Sequence, residues 1–340
     1  MEDSSGSAGA LTNEVYALDF NRDANMVVAG GGNNSVIFYR LVNGEYVTDE
    51  EIEGFSDSVV FVGFTKSTQV VAVTMDGTIA QINTVQRENR AEKEVHLVET
   101  HADVTCAALD PHRENLYVGT ALGLVEKFPC REPVAEERTQ QMVYAGHGSE
   151  IVSIEVGEKE VATASAKAVI IFASSTGHVL GRYAVEEDTD IRSMKIDEKW
   201  KIAIIGHENG KVVVLSLPNM KAVHITGEAE PVEVIAAKDD AIIFGGFGNF
   251  VTHLDLRYKT EKKWRFEGES FCVVKILIVT EYVSIIVTNS GRVVVIDARS
   301  ENAVLKDKHV AACVLDAILA GKTLCLGTDE GTQFVDLAKL

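Results

Sequence analysis

The sequence predicts an all-β fold, a single β-propeller domain over residues 1–340, read as eight blades of four antiparallel strands. Three observations predict it. A tight turn rich in Gly and Asn recurs at a blade-sized period, β-branched apolar runs flank each turn, and no stretch of 12 or more residues carries a 3.6 period.

The turns are Asn33-Asn34, Asp76-Gly77, Leu122-Gly123, Ala166-Lys167, Asn209-Gly210, Gly248-Asn249, Ser290-Gly291 and Glu330-Gly331, spaced 39 to 46 residues apart. Four-stranded blades repeat every ~40–45 residues. Gly and Asn supply the positive φ angles by which two twisted strands are joined tightly. Around the second turn, residues 70–73 and 78–82 are nearly all apolar or β-branched; around the fifth, residues 202–205 and 212–215 are entirely so. Such runs, rather than strict alternation, mark strands covered on both faces. A fourth strand follows most units, at 95–98, 141–144, 182–185, 223–226 and 264–266. The eighth unit ends at residue 337 without one. Residues 1–13, through Gly9-Ala10-Leu11-Thr12, are expected to supply it and close the ring, so that no sheet edge is left open. The blade repeats then occupy 14–337, seven blades plus an irregular insertion being the alternative.

Acids outnumber bases 51 to 32, for a net charge of −19. That balance argues against nucleic-acid phosphates and anionic membranes and favours a basic protein partner. Five cysteines without a C-x-x-C pair suggest neither a zinc site nor a disulfide framework. Cys106, Cys272 and Cys313 are expected to act as small core residues in a reducing compartment, the cytoplasm or the nucleus. Gly30-Gly31-Gly32 precedes no helix, so it reads as a hairpin and not a phosphate cradle. No nucleophile, base and acid share a catalytic spacing, so no enzyme, cofactor or metal is expected.

The placement of the charge is informative. In a propeller, the loops from each outer strand to the next blade share a face with the tight turns. Those loops are expected to hold Glu51, Glu53 and Asp57, then Glu99 and Asp103, Glu150, Glu186 with Glu187 and Asp190, and Glu230. Lys and Arg collect in the opposite loops: Arg131, Arg138, Lys199, Lys201, Arg257, Lys259, Lys262 and Lys263. An acid recurs within one residue of the same register before six inner strands: Glu14, Asp57, Asp103, Glu150, Asp190 and Glu230. Carboxylates so gathered repel one another unless a cation or basic ligand sits among them. A solvated rim that only aids solubility is the bland alternative, and a cation-centred site another. Phe55 and Phe271, near blade entrances, are candidate apolar anchors, core packing being the alternative for each. His101, His147 and His309 precede blade entrances, where a ring nitrogen can bond across strands.

The Trp-Asp of WD repeats is replaced here by Leu254-Asp255, Ile296-Asp297 and Val335-Asp336, while Gly146-His147 keeps one Gly-His. The run from Val28 to Tyr39, then Gly54-Phe55-Ser56-Asp57, Thr74-Met75-Asp76-Gly77, His309, and Gly327-Thr328-Asp329-Glu330-Gly331 follow a family order. They resemble a eukaryotic WD-repeat family that includes the angio-associated migratory cell protein. The dedicated assembly chaperone of a large-subunit ribosomal protein (L ten in yeast) belongs to the same family. The resemblance implies a WD40-like propeller, a monomer, that captures the basic N-terminal segment of a nascent ribosomal protein on an acidic face. A general WD-repeat scaffold within a multiprotein complex is the alternative function.

Overall fold

The computed structural model describes residues 13–65, 69–87, 90–130, 142–185, 188–217, 219–227, 230–248, 250–266, 271–300 and 303–340. Among these, every regular element is a strand, and the strands form eight consecutive antiparallel sheets. Blade 1 runs from Val15–Asn21 through Met26–Gly31 and Ser35–Val42 to Glu45–Glu53, and the later blades repeat that meander. Blade 8 contains the three strands Val314–Ala320, Thr323–Thr328 and Gly331–Asp336. The expected closing segment, Gly9-Ala10-Leu11-Thr12, lies outside the described residues.

The ring is held by its seams. Eight apolar clusters are present, and each joins the middle strands of one blade to the inner strand of the next. This explains the sequence pattern. Second strands such as Met26–Gly31, Val70–Thr74 and Ile202–His207 are buried at every position because a neighbouring blade covers each face. Blades 8 and 1 meet in the same way, through Val15, Leu18, Val27, Ala29, Ala320 and Cys325. There Phe334 stacks on Tyr46 at 4.8 Å, and the Leu18 N–H donates to the Asp316 carboxylate at 3.0 Å. The described termini are thus already joined by core packing.

The aspartates that stand in place of Trp-Asp have a local task. Asp255 accepts the N–H groups of Arg257 (2.9 Å) and Tyr258 (3.0 Å), Asp297 that of Arg299 (3.0 Å), and Asp336 that of Ala338 (2.9 Å). Each closes the turn after a third strand as an Asx turn. One expected turn differs. Phe247–Gly248 forms a two-residue strand paired with Phe271 and Cys272 of blade 7, so this turn braces the next blade.

Gly31 shows how closely turn and blade entrance approach. A Cβ there would stand 1.8 Å from the Glu14 carbonyl, whose oxygen accepts the Gly32 N–H at 2.8 Å. Gly31→Ala must push the two segments apart; we expect a loss of about 3 kcal/mol, in the upper range for single substitutions, read from the urea midpoint.

Candidate functional site

The innermost strands begin at one end of the ring axis, and seven of the eight carry a β-bulge near their first residue. The extra residues are Tyr16, Val60, Thr105, Val152, Arg192, Val274 and Leu315. A bulge re-aims the strand it interrupts, and its recurrence gives every blade the same start. The acids are placed against this start. Glu14, Asp103, Glu150 and Asp190 stand one residue before the first strand residue, and Asp57 stands two before it. Cys272 and Cys313 take the corresponding place in blades 7 and 8.

A belt of main-chain hydrogen bonds fixes the level of these entrances. Within blades, the Met75 N–H donates to the Ser58 carbonyl (2.9 Å), Ala121 to Asp103 (3.0 Å), Glu208 to Asp190 (2.8 Å) and Phe247 to Pro231 (3.3 Å). Between blades, Val104 donates to Met75 (2.9 Å), Ile191 to Ala166 (2.8 Å), Val232 to His207 (3.1 Å), Val273 to Gly246 (3.0 Å) and Val314 to Asn289 (3.0 Å). Tight turns and acidic entrances therefore lie side by side on one face.

The environments of the acids differ. Asp103, Glu150 and Glu230 are exposed, and Glu14, Asp57 and Asp190 half-buried. The Tyr16 hydroxyl donates to Glu14. Asp190 is paired with Lys167 at 2.8 Å. Among the described residues, Asp57, Asp103, Glu150 and Glu230 form no ion pair with a lysine or arginine. The uncompensated charge at the mouth thus concentrates in blades 2 to 4, with Glu230 across the opening.

Three sequence expectations are corrected. Glu51, Glu53 and Glu99 belong to outer strands, Glu45–Glu53 and Arg90–Glu99, and not to loops. Pairing of Glu53 with Ser35 and Glu99 with Thr78 keeps them at the acidic end, but three strands out, roughly 14 Å from the inner strand. Phe271 is 5% exposed and packs with Phe266 and Val273 in the seam of blades 6 and 7, so it cannot serve as an anchor. Phe55 is half-buried against the seam of blades 1 and 2. Cys272 and Cys313 are only half-buried; Cys106, also half-buried, packs against the seam of blades 3 and 4 as expected, and Cys325 is the cysteine enclosed in the core. Burial, then the carboxylates of Asp329 and Glu14, pushes the Cys313 thiol up. The bases Arg131 and Arg138 and the acids Glu186 and Glu187 lie outside the described residues.

Below the mouth the axis opens into a cavity of about 620 Å³, lined by the inner strands of blades 4 to 7 and by Leu319. Each of its acids is matched by a base of an adjacent blade, Glu233 by Arg192 (3.1 Å) and Glu155 by Lys195 (2.8 Å), while Lys275 meets Asp316 (2.8 Å) and Lys238 donates to the Val279 carbonyl (3.5 Å). Burial raises the Glu155 carboxyl, and Lys195 opposes that. The net negative charge is therefore a property of the mouth and not of the channel wall. Among the described residues, no group of three or more His, Cys, Asp or Glu is placed to hold a metal ion.

Two histidines stitch entrances to blades. His147 bonds Ser165 (2.8 Å) and Thr163 (2.7 Å) through its two ring nitrogens, and His101 meets the buried Glu126 carboxylate at 3.0 Å. Burial, aided by Arg182, lowers the His147 pKa to about 4. Its folded value lies below the unfolded ~6.5, so its contribution to stability is complete above pH 6.5 and is lost as pH falls toward 4. We expect the His147 imidazole resonance, followed by NMR, to titrate with a midpoint near 4.

The sequence reading overlooked the tight turns themselves as surface. They add the exposed acids Asp76, Glu208, Asp329 and Glu330 to the same face. They also present Met75, Leu122 and Phe247, which are 46%, 64% and 47% exposed. The rule that placed the acids, that outer loops and tight turns share a face, was sufficient to find all seven.

Eight meandering sheets set radially about a channel, with entrances and tight turns on one face, define a β-propeller of the WD-repeat class. Residues 13–335 match the WD40-like domain, and the chain belongs to that family. No curated protein matches the sequence. Among solved structures, Sqt1 of Saccharomyces cerevisiae aligns with a TM-score of 0.80 at 16% identity, covering 96% of each chain. Sqt1 of Chaetomium thermophilum, solved bound to the N-terminus of the ribosomal protein L10, aligns with a TM-score of 0.82 at 16% identity, covering 95% of this chain and 97% of that one. The computationally designed protein Ika8 aligns with a TM-score of 0.77 at 17% identity, covering 97% and 98%. A natural binding protein and a designed one are matched alike, so the likeness establishes the fold.

Proposed function

We propose that this protein is a non-enzymatic ribosome-assembly chaperone. It captures the basic N-terminal segment of a newly made large-subunit ribosomal protein on its acidic propeller face. The observation that carries this reading is the ring of entrance carboxylates at one mouth of the axis, with those of blades 2 to 4 and Glu230 in no ion pair with a lysine or arginine among the described residues. It is supported by the shared fold with Sqt1, which has been solved bound to the N-terminus of L10. A cationic segment across the mouth donates charge-assisted hydrogen bonds to carboxylates of several blades at once. It is attracted from a distance, because a net charge of −19 steers basic partners toward the protein. Covering the client's cations also keeps them from premature contact with RNA. The site of action on this reading is the cytoplasm, where such clients emerge from translation.

The test is calorimetric titration of a basic ribosomal-protein N-terminal peptide at two salt concentrations. Capture on the acidic mouth gives binding that weakens steeply as salt rises, with the association rate falling first. Binding independent of salt, or no binding, overturns the reading and favours a general WD-repeat scaffold.

A further inference from the structure

Charge alone does not account for tight capture. Single exposed ion pairs are weak, and nanomolar affinity requires many of them or a second kind of contact. The tight turns supply the second kind. Met75 and Phe247 occupy the same slot, the residue whose N–H bonds the entrance of its own blade, at Ser58 and Pro231; Leu122 follows that slot and stands immediately before the positive-φ Gly123 (φ 76°). In blades 5 and 7 the Met75 slot holds Glu208 or Asn289, and in blades 2, 5, 7 and 8 the Leu122 slot holds Asp76, Asn209, Ser290 or Glu330. Nothing in turn chemistry favours a large apolar side chain there; a solvated position that needs only a hairpin is ordinarily polar. All three side chains project to solvent and join none of the seam clusters.

Their neighbours order them among the acids. The Met75 main chain bonds Ser58, next to Asp57, on one side and Val104, next to Asp103, on the other. Ala121, beside Leu122, bonds the Asp103 carbonyl, and a Cβ on Gly123 would lie 2.6 Å from the Ser149 carbonyl, just before Glu150. Around blades 2 to 4 the sequence of groups is therefore Asp57, Met75, Asp103, Leu122, Glu150. Across the mouth, a Cβ on Gly248 would lie 3.4 Å from Glu230 Cγ, which places Phe247 beside Glu230.

The turns that present these side chains are rigid. Thr74 Oγ1 donates to the Thr78 carbonyl (3.1 Å) and accepts the Thr78 N–H (3.0 Å); Thr120 does the same with Leu124 (3.2 Å each). The Phe247 turn is fixed by its pairing with blade 7. Side chains held in place before binding lose little freedom when covered.

We propose that Met75, Leu122 and Phe247 are apolar contact points within the acidic face, and that the face takes a basic segment whose cations are interleaved with bulky apolar residues. A uniformly polybasic chain fits it less well. The inference rests on the proposed function of this face and adds the composition of its client.

The experiment compares two peptides of equal positive charge on the full chain. One carries Leu and Phe between its Arg and Lys residues; the other carries Gly and Ser in their place. Wild-type protein is expected to bind the apolar-bearing peptide about 10- to 100-fold more tightly, given partial burial of three large side chains. The triple variant Met75→Ser, Leu122→Ser, Phe247→Ser is expected to bind both peptides equally, as the wild type binds the polar one, with unchanged salt dependence. The replaced side chains belong to no seam cluster, so the variant is expected to fold, and an unchanged thermal transition checks it. Equal wild-type affinity for the two peptides, or a preference that survives in the variant, overturns the inference while leaving the charged face intact. Failure of wild type to bind either peptide removes the underlying function as well.

Discussion

Reversing three mouth carboxylates together, Asp57→Lys, Asp103→Lys and Asp190→Lys, is expected to lower affinity for the basic N-terminal peptide by about 30- to 700-fold at physiological salt. Each exposed pair lost costs about 0.2–1 kcal/mol, and each new lysine adds repulsion of similar size. The sum runs from about 1 to 6 kcal/mol, and the middle of that range, about 2–4 kcal/mol, gives the stated loss at 1.4 kcal/mol per tenfold in affinity. Asp190 contributes least, because Lys167 already engages its carboxylate at 2.8 Å. The loss is to be read by calorimetry at low and physiological salt, and it should be larger at low salt, where screening is weak. Lys201→Glu serves as the control together with Lys322→Glu, at the exposed turn between strands Val314–Ala320 and Thr323–Thr328 on the opposite face, and should leave affinity within twofold. A gain in affinity from the control comparable to the loss from the mouth set would show that only net charge matters; no effect from the mouth set would remove the site.

The largest effect on stability is expected at the seams. Phe172 is 1% exposed and meets Tyr144 edge-on, with ring centroids 5.3 Å apart, in the cluster joining blades 3 and 4. Phe172→Ala removes a buried ring from a seam whose strands are held on both sides and cannot collapse into the space. A loss of about 3–5 kcal/mol follows, seen as a lower midpoint in urea. The contrast with Leu122 is the useful one. Leu122 is as apolar as any seam residue, yet Leu122→Ser should leave the midpoint unchanged, because folding does not bury it. Stability and binding thereby separate by position and not by residue type.

The two variants depend on different layers of the same architecture. Each seam draws on the middle strands of one blade and the inner strand of the next, so stability is distributed around the ring. The binding face draws only on entrances and tight turns. It can carry a heavy like-charge load because its main chain is pinned within and between blades, from Met75 and Ser58 to Val314 and Asn289. Repulsion among side chains at the mouth is therefore set against a main-chain framework that the core holds in place.

What could be read in the sequence was what is local or periodic. Turn glycines such as Gly77 and Gly210 and the β-branched runs beside them specify hairpins wherever they occur, and their spacing specifies blades. The shared register of Glu14, Asp103, Glu150 and Asp190 was legible for the same reason, since repeats carry each residue to an equivalent place. Tertiary structure alone decided which of those acids remain without a basic partner. Lys167 reaches Asp190, and Arg192 turns to Glu233 of the adjacent blade, through approaches of a few ångströms that a repeat of about 40 residues does not encode. It also sent Phe271 into a seam and left Phe247 in solvent, although both are phenylalanines beside a strand end. Burial depends on what the next blade places opposite, and that is a property of the closed ring.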